Sequence, residues 1–594
     1  GEGEGEGEGE GEGEGEGEGE AQDCDVDVTI DSDDDVAAIA GCSRVASLTI
    51  LGPDVTDISG LASITTIDGT LSIVGVALTE LSPLASLQTS GDVIIDSSSA
   101  LTTIALPALQ TAGEITISSL DGLERFSAPA LERATTLTFR VAPALTTIAP
   151  MPLLTSLSRF AVSGLDALRT LDDVFAVTAL QDLSIFSNPA LETISLPSLV
   201  AVDVVTLQSN RRLARAAFVG LEEVTTLVVL LNSAEASLAV QVPALRVASS
   251  LQFSVNGFGQ VPRPSSVDLS ALTSFGALQI LGGGANAGRA PVTVTFGAVS
   301  TCGDLLLRAP YTFVGFGPAT SCGNVVASDT GNPGGADVGF LENVTTLVSL
   351  DINNDDCRDP GGLANLTTVT GDLRITQSAF LGDISSLNGL VTVGGTLEVR
   401  SVQQTRWSFA SLARVGSIVL RDQSFAALAF PALTTIDRLD MSDVVIDPSV
   451  AGPAFPLVRA LPGGLSVLRG TGAVGLALPR LTSLGTDLGL RDTADLTDAV
   501  VAATLDDVDF AAFDGTITLE ALSSVSSVAP LSGLQRVSSL SLIVLPALTT
   551  LTPLAGLQVD GAVTIEDTRV PQTDAVAFAA ATNASSSSVV RNAP

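Results

Sequence analysis

An apolar–small–apolar triplet returns about every 22 residues along most of this chain. It reads Leu48-Thr49-Ile50, Leu71-Ser72-Ile73, Val93-Ile94-Ile95, Ile115-Thr116-Ile117 and Leu137-Thr138-Phe139, then Leu183-Ser184-Ile185, Val205-Thr206-Leu207 and Leu251-Gln252-Phe253. Downstream it continues as Leu373-Arg374-Ile375, Leu397-Glu398-Val399, Leu540-Ser541-Leu542 and Val563-Thr564-Ile565. Side chains alternate across a strand, so the first and third residues of each triplet face inward and the middle one faces out. A fixed period of this length means one supersecondary unit stacked many times, because a single unit cannot bury its own apolar face. The pattern predicts an all-β solenoid of parallel strands in coils of about 22 residues, closed by short capping helices. The outward set, including Thr49, Ser72, Thr116, Thr138, Ser184 and Thr206, predicts a Ser/Thr-rich sheet face.

A second motif separates the strands. Ala-Leu-Thr-Thr followed by Ile or Leu occupies 100–104, 144–148, 432–436 and 547–551, next to Leu-Pro-x-Leu runs such as Leu106-Pro107-Ala108-Leu109 and Leu196-Pro197-Ser198-Leu199. Proline fixes a bend and donates no hydrogen bond, so it suits a coil corner rather than a sheet interior. Asn188 and Asn210 stand one period apart just after their strands, where stacked amides can satisfy turn backbone.

Length and composition refine this picture. A 594-residue chain ordinarily splits into several domains, but a repeat array grows as a rod and escapes the limit on a single core. The 66 acidic residues against 27 basic ones give a net charge of −39, and every basic residue is Arg. Nucleic-acid and anionic-membrane partners are excluded by the lack of clustered cations. The acidity itself reads as solubility or salt adaptation. With no His and no Lys, the chain has no imidazole base or metal ligand, no Schiff base and no phosphate-loop lysine. Carboxylate-pair hydrolysis stays open chemically, yet no acidic pair stands out, so the sequence reads as a non-enzyme without a cofactor.

Residues 1–20 are ten Gly-Glu dipeptides, which predict an extended, disordered tether. The first residue is Gly1 rather than Met; a secretion signal ending in a lipid-modified cysteine just before it would suit such a tether. No run of 18 apolar residues predicts a transmembrane helix. Cys24 and Cys42 bracket the segment before the first regular repeat, where a solenoid needs a cap. Cys302 and Cys322 sit in matching contexts about one coil apart. Matching positions in adjacent coils stack roughly 4.8 Å apart, within reach of a disulfide. Cys357 is left over. Two bridgeable pairs favour an oxidising compartment, hence an extracellular or cell-surface location.

The opening, with Cys24, Val28-Thr29-Ile30, Ile39, Cys42 and then Leu48-Thr49-Ile50, resembles the start of a receptor L domain. The coil Asn188-Pro189-Ala190-Leu191-Glu192-Thr193-Ile194 with Leu196-Pro197-Ser198-Leu199 resembles the same family, as does the run from Leu387-Asn388-Gly389-Leu390 to Leu397-Glu398-Val399. That resemblance implies a right-handed leucine-rich β-helix, as in receptor ectodomains and fungal cell-wall proteins. The Ala-rich 568–582 looks like the helical cap of leucine-rich bacterial lipoproteins, although that cap usually carries a Cys where Thr573 or Gln572 stands. The family shares a frame and not a site motif, so no ligand-binding residue carries over.

The resulting organisation is a tether at 1–20, an N-terminal cap at 21–47, and a first array at 48–255. A Gly-rich junction with a disulfide follows at 256–343, then a second array at 344–566 and a C-terminal cap and tail at 567–594. The junction holds Phe296, Phe313, Phe316 and the single tyrosine, Tyr311, and reads either as coils with long loops or as an exposed aromatic contact site. A second break surrounds the single tryptophan in Thr405-Arg406-Trp407-Ser408. Arg406, Trp407 and Tyr311 are therefore the candidate ligand contacts, against the alternative that these rings are packed. Asn353-Asn354-Asp355-Asp356 with Asp359 has the oxygen-rich composition of a Ca²⁺ site without EF-hand spacing, and Asp31 to Asp35 is a weaker version. Asn343, Asn365 and Asn583 head Asn-x-Ser/Thr sequons. The expected function is a surface repeat protein, monomeric, whose long face binds a protein or a carbohydrate; a wall or envelope component with no specific ligand is the alternative.

Overall fold

The computed structural model describes residues 22–230, 232, 237–254, 265–281, 291–308, 310–328, 338–353, 361–378, 384–403, 405–447, 452–472, 477–493 and 495–592. The Gly-Glu tract, Cys357 and the acidic run 354–359 lie outside the described residues. The chain is a parallel β-solenoid of about 22 turns. It forms two compact units, one up to Val219 and one from Gly220. Among the described residues the helices are three and short: α1 (Asp33–Ala37), α2 (Asp498–Leu505) and α3 (Gln572–Ala581).

In the first unit the triplets form the rungs of one ladder. Ile115, Leu137, Phe160, Leu183 and Val205 pair in turn, and each is fully buried. The middle residues Thr138 and Ser184 stay half-buried on the outer face. Inward apolar stacking fixes this register, because a slip of one residue would send every buried side chain to solvent. Val28 and Ile30 already stand in the ladder opposite Leu48 and Ile50, so the segment between Cys24 and Cys42 includes a complete rung. A second, narrower sheet is built from three-residue strands, with Thr170–Asp172, Thr193–Ser195 and Arg215–Ala217 stacked in parallel.

Two kinds of corner turn the chain. Just past the long strand a residue enters the left-handed region, at Ser97, Ser119, Val141, Gly164, Ser187 and Ser209 in consecutive coils. The buried residue after it then bonds a neighbouring coil: Asn188 and Asn210 do so through their side-chain amides, and Ser98 does so by accepting from the Val76 N–H of the preceding coil. The Leu-Pro-x-Leu motif makes the other corner. The Leu109 N–H donates to the Leu106 carbonyl at 3.2 Å, with both leucines buried and Pro107 outside. Proline at the second position presets this turn.

The second unit repeats the scheme with more variable coils. Ser274 pairs with Thr301, 27 residues on, whereas Leu305 pairs with Val325, only 20 on. The described part of 265–328 keeps parallel strands throughout, so the glycine-rich interval carries ladder as well as loops. The Ala-rich C-terminal stretch is helical as α3, and a further strand, Ser586–Val590, pairs with Ala562–Thr568 after it.

Both expected disulfides form. Cys24 and Cys42 are 5.7 Å apart at Cα, and Cys302 and Cys322 are 4.6 Å apart on neighbouring rungs. Arginines tie successive coils to acidic partners, as in Arg44–Asp68 and Arg169–Glu192, both at 2.8 Å. The acidic run at 31–35 is occupied structurally. Asp35 accepts from the Ser32 N–H and hydroxyl at the start of α1. Asp33 accepts from the Thr56 and Asp57 N–H groups one coil away, and these bonds hold its carboxyl below the usual range.

Candidate functional site

The outward middle position of the long strands traces a single column through each unit. In the first unit it reads Thr49, Ser72, Ile94, Thr116, Thr138, Ala161, Ser184 and Thr206, uncharged throughout. In the second unit Leu306 and Val326 are followed by Asp351, Arg374 and Glu398, then Val419, Asp440, Ser466 and Gly489. The far end of that column returns to Thr518, Ser541, Thr564 and Ser588. Three charged residues on consecutive rungs, with Asp440 two rungs beyond, thus interrupt a column that is otherwise mostly small or apolar.

These side chains border a polar depression of about 250 Å³, completed by Asn353, Thr376, Gln377 and Arg400. Strand stacking supplies the geometry, for Asp351 pairs with Arg374 while Asn353, two residues on, pairs with Thr376, and Glu398 and Arg400 follow on the next rung. Arg374 contacts Asp372 at 2.5 Å and Glu398 at 3.5 Å. The Arg400 Nε stands 3.3 Å from Asp422 on the rung beyond. Asp351 is different. Its Oδ1 is buried with no hydrogen-bond partner among the described residues. Burial pushes its carboxyl up; the Arg374 guanidinium opposes that shift and the Glu398 carboxylate adds to it. A buried acceptor without a donor costs free energy, which a ligand donor could recover. The arrangement offers an acceptor at Asp351, guanidinium donors at Arg374 and Arg400, and neutral hydrogen-bonding groups between them. Among the described residues, no cluster of three or more His, Cys, Asp or Glu side chains could hold a metal ion.

The aromatic candidates are placed elsewhere. Trp407 is 1% exposed and Tyr311 is 2% exposed. Trp407 lies in the strand Arg406–Ser408, whose alternation turns it inward and leaves Arg406 on the surface. Its ring packs 6.0 Å from Phe409, which begins a stack continuing through Phe430 and Phe455 at 5.3 and 4.9 Å. Tyr311 packs on Phe313 at 4.9 Å. The expectation that Trp407 and Tyr311 reach a ligand is corrected accordingly, since rings so enclosed present no face to solvent. Arg406 is exposed, but nothing brings it into the depression around Asp351.

No family model matches this chain, and no curated protein does. Among solved structures, one titled "Crystal structure of TLR13-ssRNA13 complex" aligns at a TM-score of 0.26 with 13% identity. The alignment covers 95% of this chain and 90% of that one. Likeness at that level has no bearing on ligand or mechanism.

Proposed function

We propose that this chain is a non-enzymatic binding solenoid, working outside the cell or on its surface, that takes a protein or glycan ligand on its sheet face at the Asp351–Arg374–Glu398 break. The observation that carries this reading is the interruption itself. A column that needs only small groups to stack holds three charges around a depression, one of them with an unsatisfied buried oxygen. Ladders kept only for packing gain nothing from such a residue, because burying an unpaired polar atom destabilises the fold. The two disulfides support an oxidising environment. No helix among the described residues is long and apolar enough to cross a membrane. The receptor L-domain resemblance and the division into arrays at 48–255 and 344–566 belong to the same proposal, as does a monomeric chain tethered by residues 1–20.

The uncharged column of the first unit favours a second reading, a structural envelope component in which that face has no specific partner. A glycan and surface-protein array probed with the full chain separates the two. Binding that saturates and weakens at least tenfold in Arg374→Ala and Glu398→Ala supports the site. Binding indifferent to both substitutions removes the ligand from this location. An array without any saturable partner leaves the structural role.

A further inference from the structure

A second cavity lies within the glycine-rich interval, ahead of the charged break in the chain, and its chemistry differs from that of the break. It measures about 410 Å³ and is lined by Phe313, Phe316, Phe340, Glu342 and Asn343 with the glycine loop at 315–317. That volume falls within the roughly 300–1,000 Å³ of small-ligand sites.

Its walls are rings at graded depth. Phe316 is buried, while Phe313 and Phe340 are only half-buried. Phe340 meets Phe313 edge-on at 4.8 Å and Phe316 at 5.1 Å. Phe296 and Tyr311 pack behind them and fix their tilt. The loop is held open by two glycines with positive φ, at +71° for Gly315 and +102° for Gly317. A Cβ on Gly315 would fall 2.7 Å from the Phe296 carbonyl oxygen, and one on Gly317 would fall 2.7 Å from the Val299 nitrogen. Any side chain there would force the loop off the ring wall. Across the mouth, the Asn343 amide nitrogen donates to the Gly317 carbonyl at 3.3 Å, and the next coil's Asn365 donates to the Glu342 carbonyl at 2.7 Å. The Glu342 side chain is exposed and forms no ion pair among the described residues.

The geometry points to a saccharide subsite in which a neutral pyranose ring lies against Phe313 and Phe340 and donates hydroxyl hydrogen bonds to Glu342. Half-exposed rings complement the C–H face of a sugar, and an uncommitted carboxylate at the rim complements its hydroxyls. A purely apolar ligand would make no hydrogen bond to that carboxylate, which a sugar hydroxyl reaches at the rim. An anionic sugar or a phosphate would meet Glu342 within a chain of net charge −39. The site is independent of the charged break: it uses neither the same residues nor the same kind of group.

Saturation-transfer-difference NMR on the full chain, with the methyl glycosides of glucose, galactose, mannose and N-acetylglucosamine as probes, tests it. The expected result is transfer concentrated on the ring C–H protons of at least one neutral glycoside. Phe340→Leu should weaken that binding roughly tenfold, the scale of one lost ring contact. Glu342→Gln should weaken it several-fold while leaving the unfolding curve of the exposed position unchanged. Arg374→Ala should leave it untouched, so that failure of the charged break and failure of this subsite are told apart. Absence of transfer for every neutral glycoside overturns the inference. So does transfer that persists unchanged in both Phe340→Leu and Glu342→Gln, and so does preference for a uronate over its neutral counterpart.

Discussion

Replacing Asn210 by Ala tests whether the amide ladder holds the coils together. Asn188 and Asn210 are fully buried. The Asn210 Oδ1 accepts the Asn188 N–H at 3.1 Å and the Asn188 side-chain amide at 3.1 Å, while its own Nδ2 donates to the Ile185 carbonyl at 2.9 Å. The Asn188 side chain has other acceptors, the Val162 and Phe186 carbonyls, and tolerates the loss. Its backbone N–H loses the partner shown here and would be left buried, which costs about 1–3 kcal/mol. The Ile185 carbonyl loses one bond, and the vacated amide volume adds a smaller packing loss. Together the substitution should cost about 2–4 kcal/mol. Coils interact mainly with their neighbours, so this destabilisation is local, and a global melting curve would understate it. Amide hydrogen exchange is therefore the assay, read at Asn188 and across the strands Ala179–Phe186 and Ala201–Gln208, with Ser184→Ala on the outer face as control. Protection should fall by two to three orders of magnitude around Asn188 and stay near wild type in distant coils. A change below about 0.5 kcal/mol, within the range of ordinary surface substitutions, with exchange at Asn188 unaltered, would refute the reasoning.

Val141 holds φ +50° with its side chain 54% exposed, a conformation β-branched residues resist, so Val141→Asn should stabilise the first unit by about 1 kcal/mol in a thermal shift. Reducing Cys24–Cys42 opens a loop with a sequence separation of 18 and should weaken the N-terminal coils by about 3 kcal/mol, seen as faster exchange in Asp27–Ile30 in the presence of reductant. The Asp351 carboxyl is pushed up on folding, so its contribution turns unfavourable as pH rises above the ordinary carboxylate range. Asp351→Asn should therefore be more stable than wild type at neutral pH, and urea titrations should show the gap closing as pH falls to about 4, the ordinary carboxylate range. Asp33 runs the other way: hydrogen bonds lower its carboxyl, so the stability it contributes is lost as pH falls through that depressed value, and Asp33→Asn should flatten the acid limb of unfolding.

The ladder was legible in the sequence because a single rule, apolar residues at alternate inward positions, is imposed again at every rung. Leu-Pro-x-Leu was legible as a corner for the same reason. Trp407 stands open in the sequence between a ligand contact and a packed ring because its segment departs from the leucine version of the motif. Phe430-Pro431-Ala432-Leu433 is that motif with phenylalanine in the first place, and the Leu433 N–H donates to the Phe430 carbonyl at 3.3 Å. Taking Phe409 as the same corner one coil earlier puts Trp407, two residues before it, on the inward side. The charged break was harder to find. Arg374, Glu398 and Asp351, the last in Leu350-Asp351-Ile352, appear in the sequence as ordinary outward middle residues of their triplets. Their adjacency emerges only once Asp351, Arg374 and Glu398 are aligned across coils of 23 and 24 residues. The pocket at Phe313 and Phe340 depends on loop conformation, which periodicity does not encode.

Because the left-handed corner recurs at the same place in each coil of the first unit, and Glu114 meets Thr136 as squarely as Thr136 meets Arg159, the strands there are interchangeable as neighbours. Excising one whole coil, 22 residues between Glu114 and Thr136, would bring together partners whose inward and outward sides already match. Loss of a length other than that of a whole coil would break the register or a corner. The array can therefore lengthen or shorten under mutation only in whole steps, like a chain of identical links, and its reach is a trait that unequal recombination can alter without touching the chemistry of any one link.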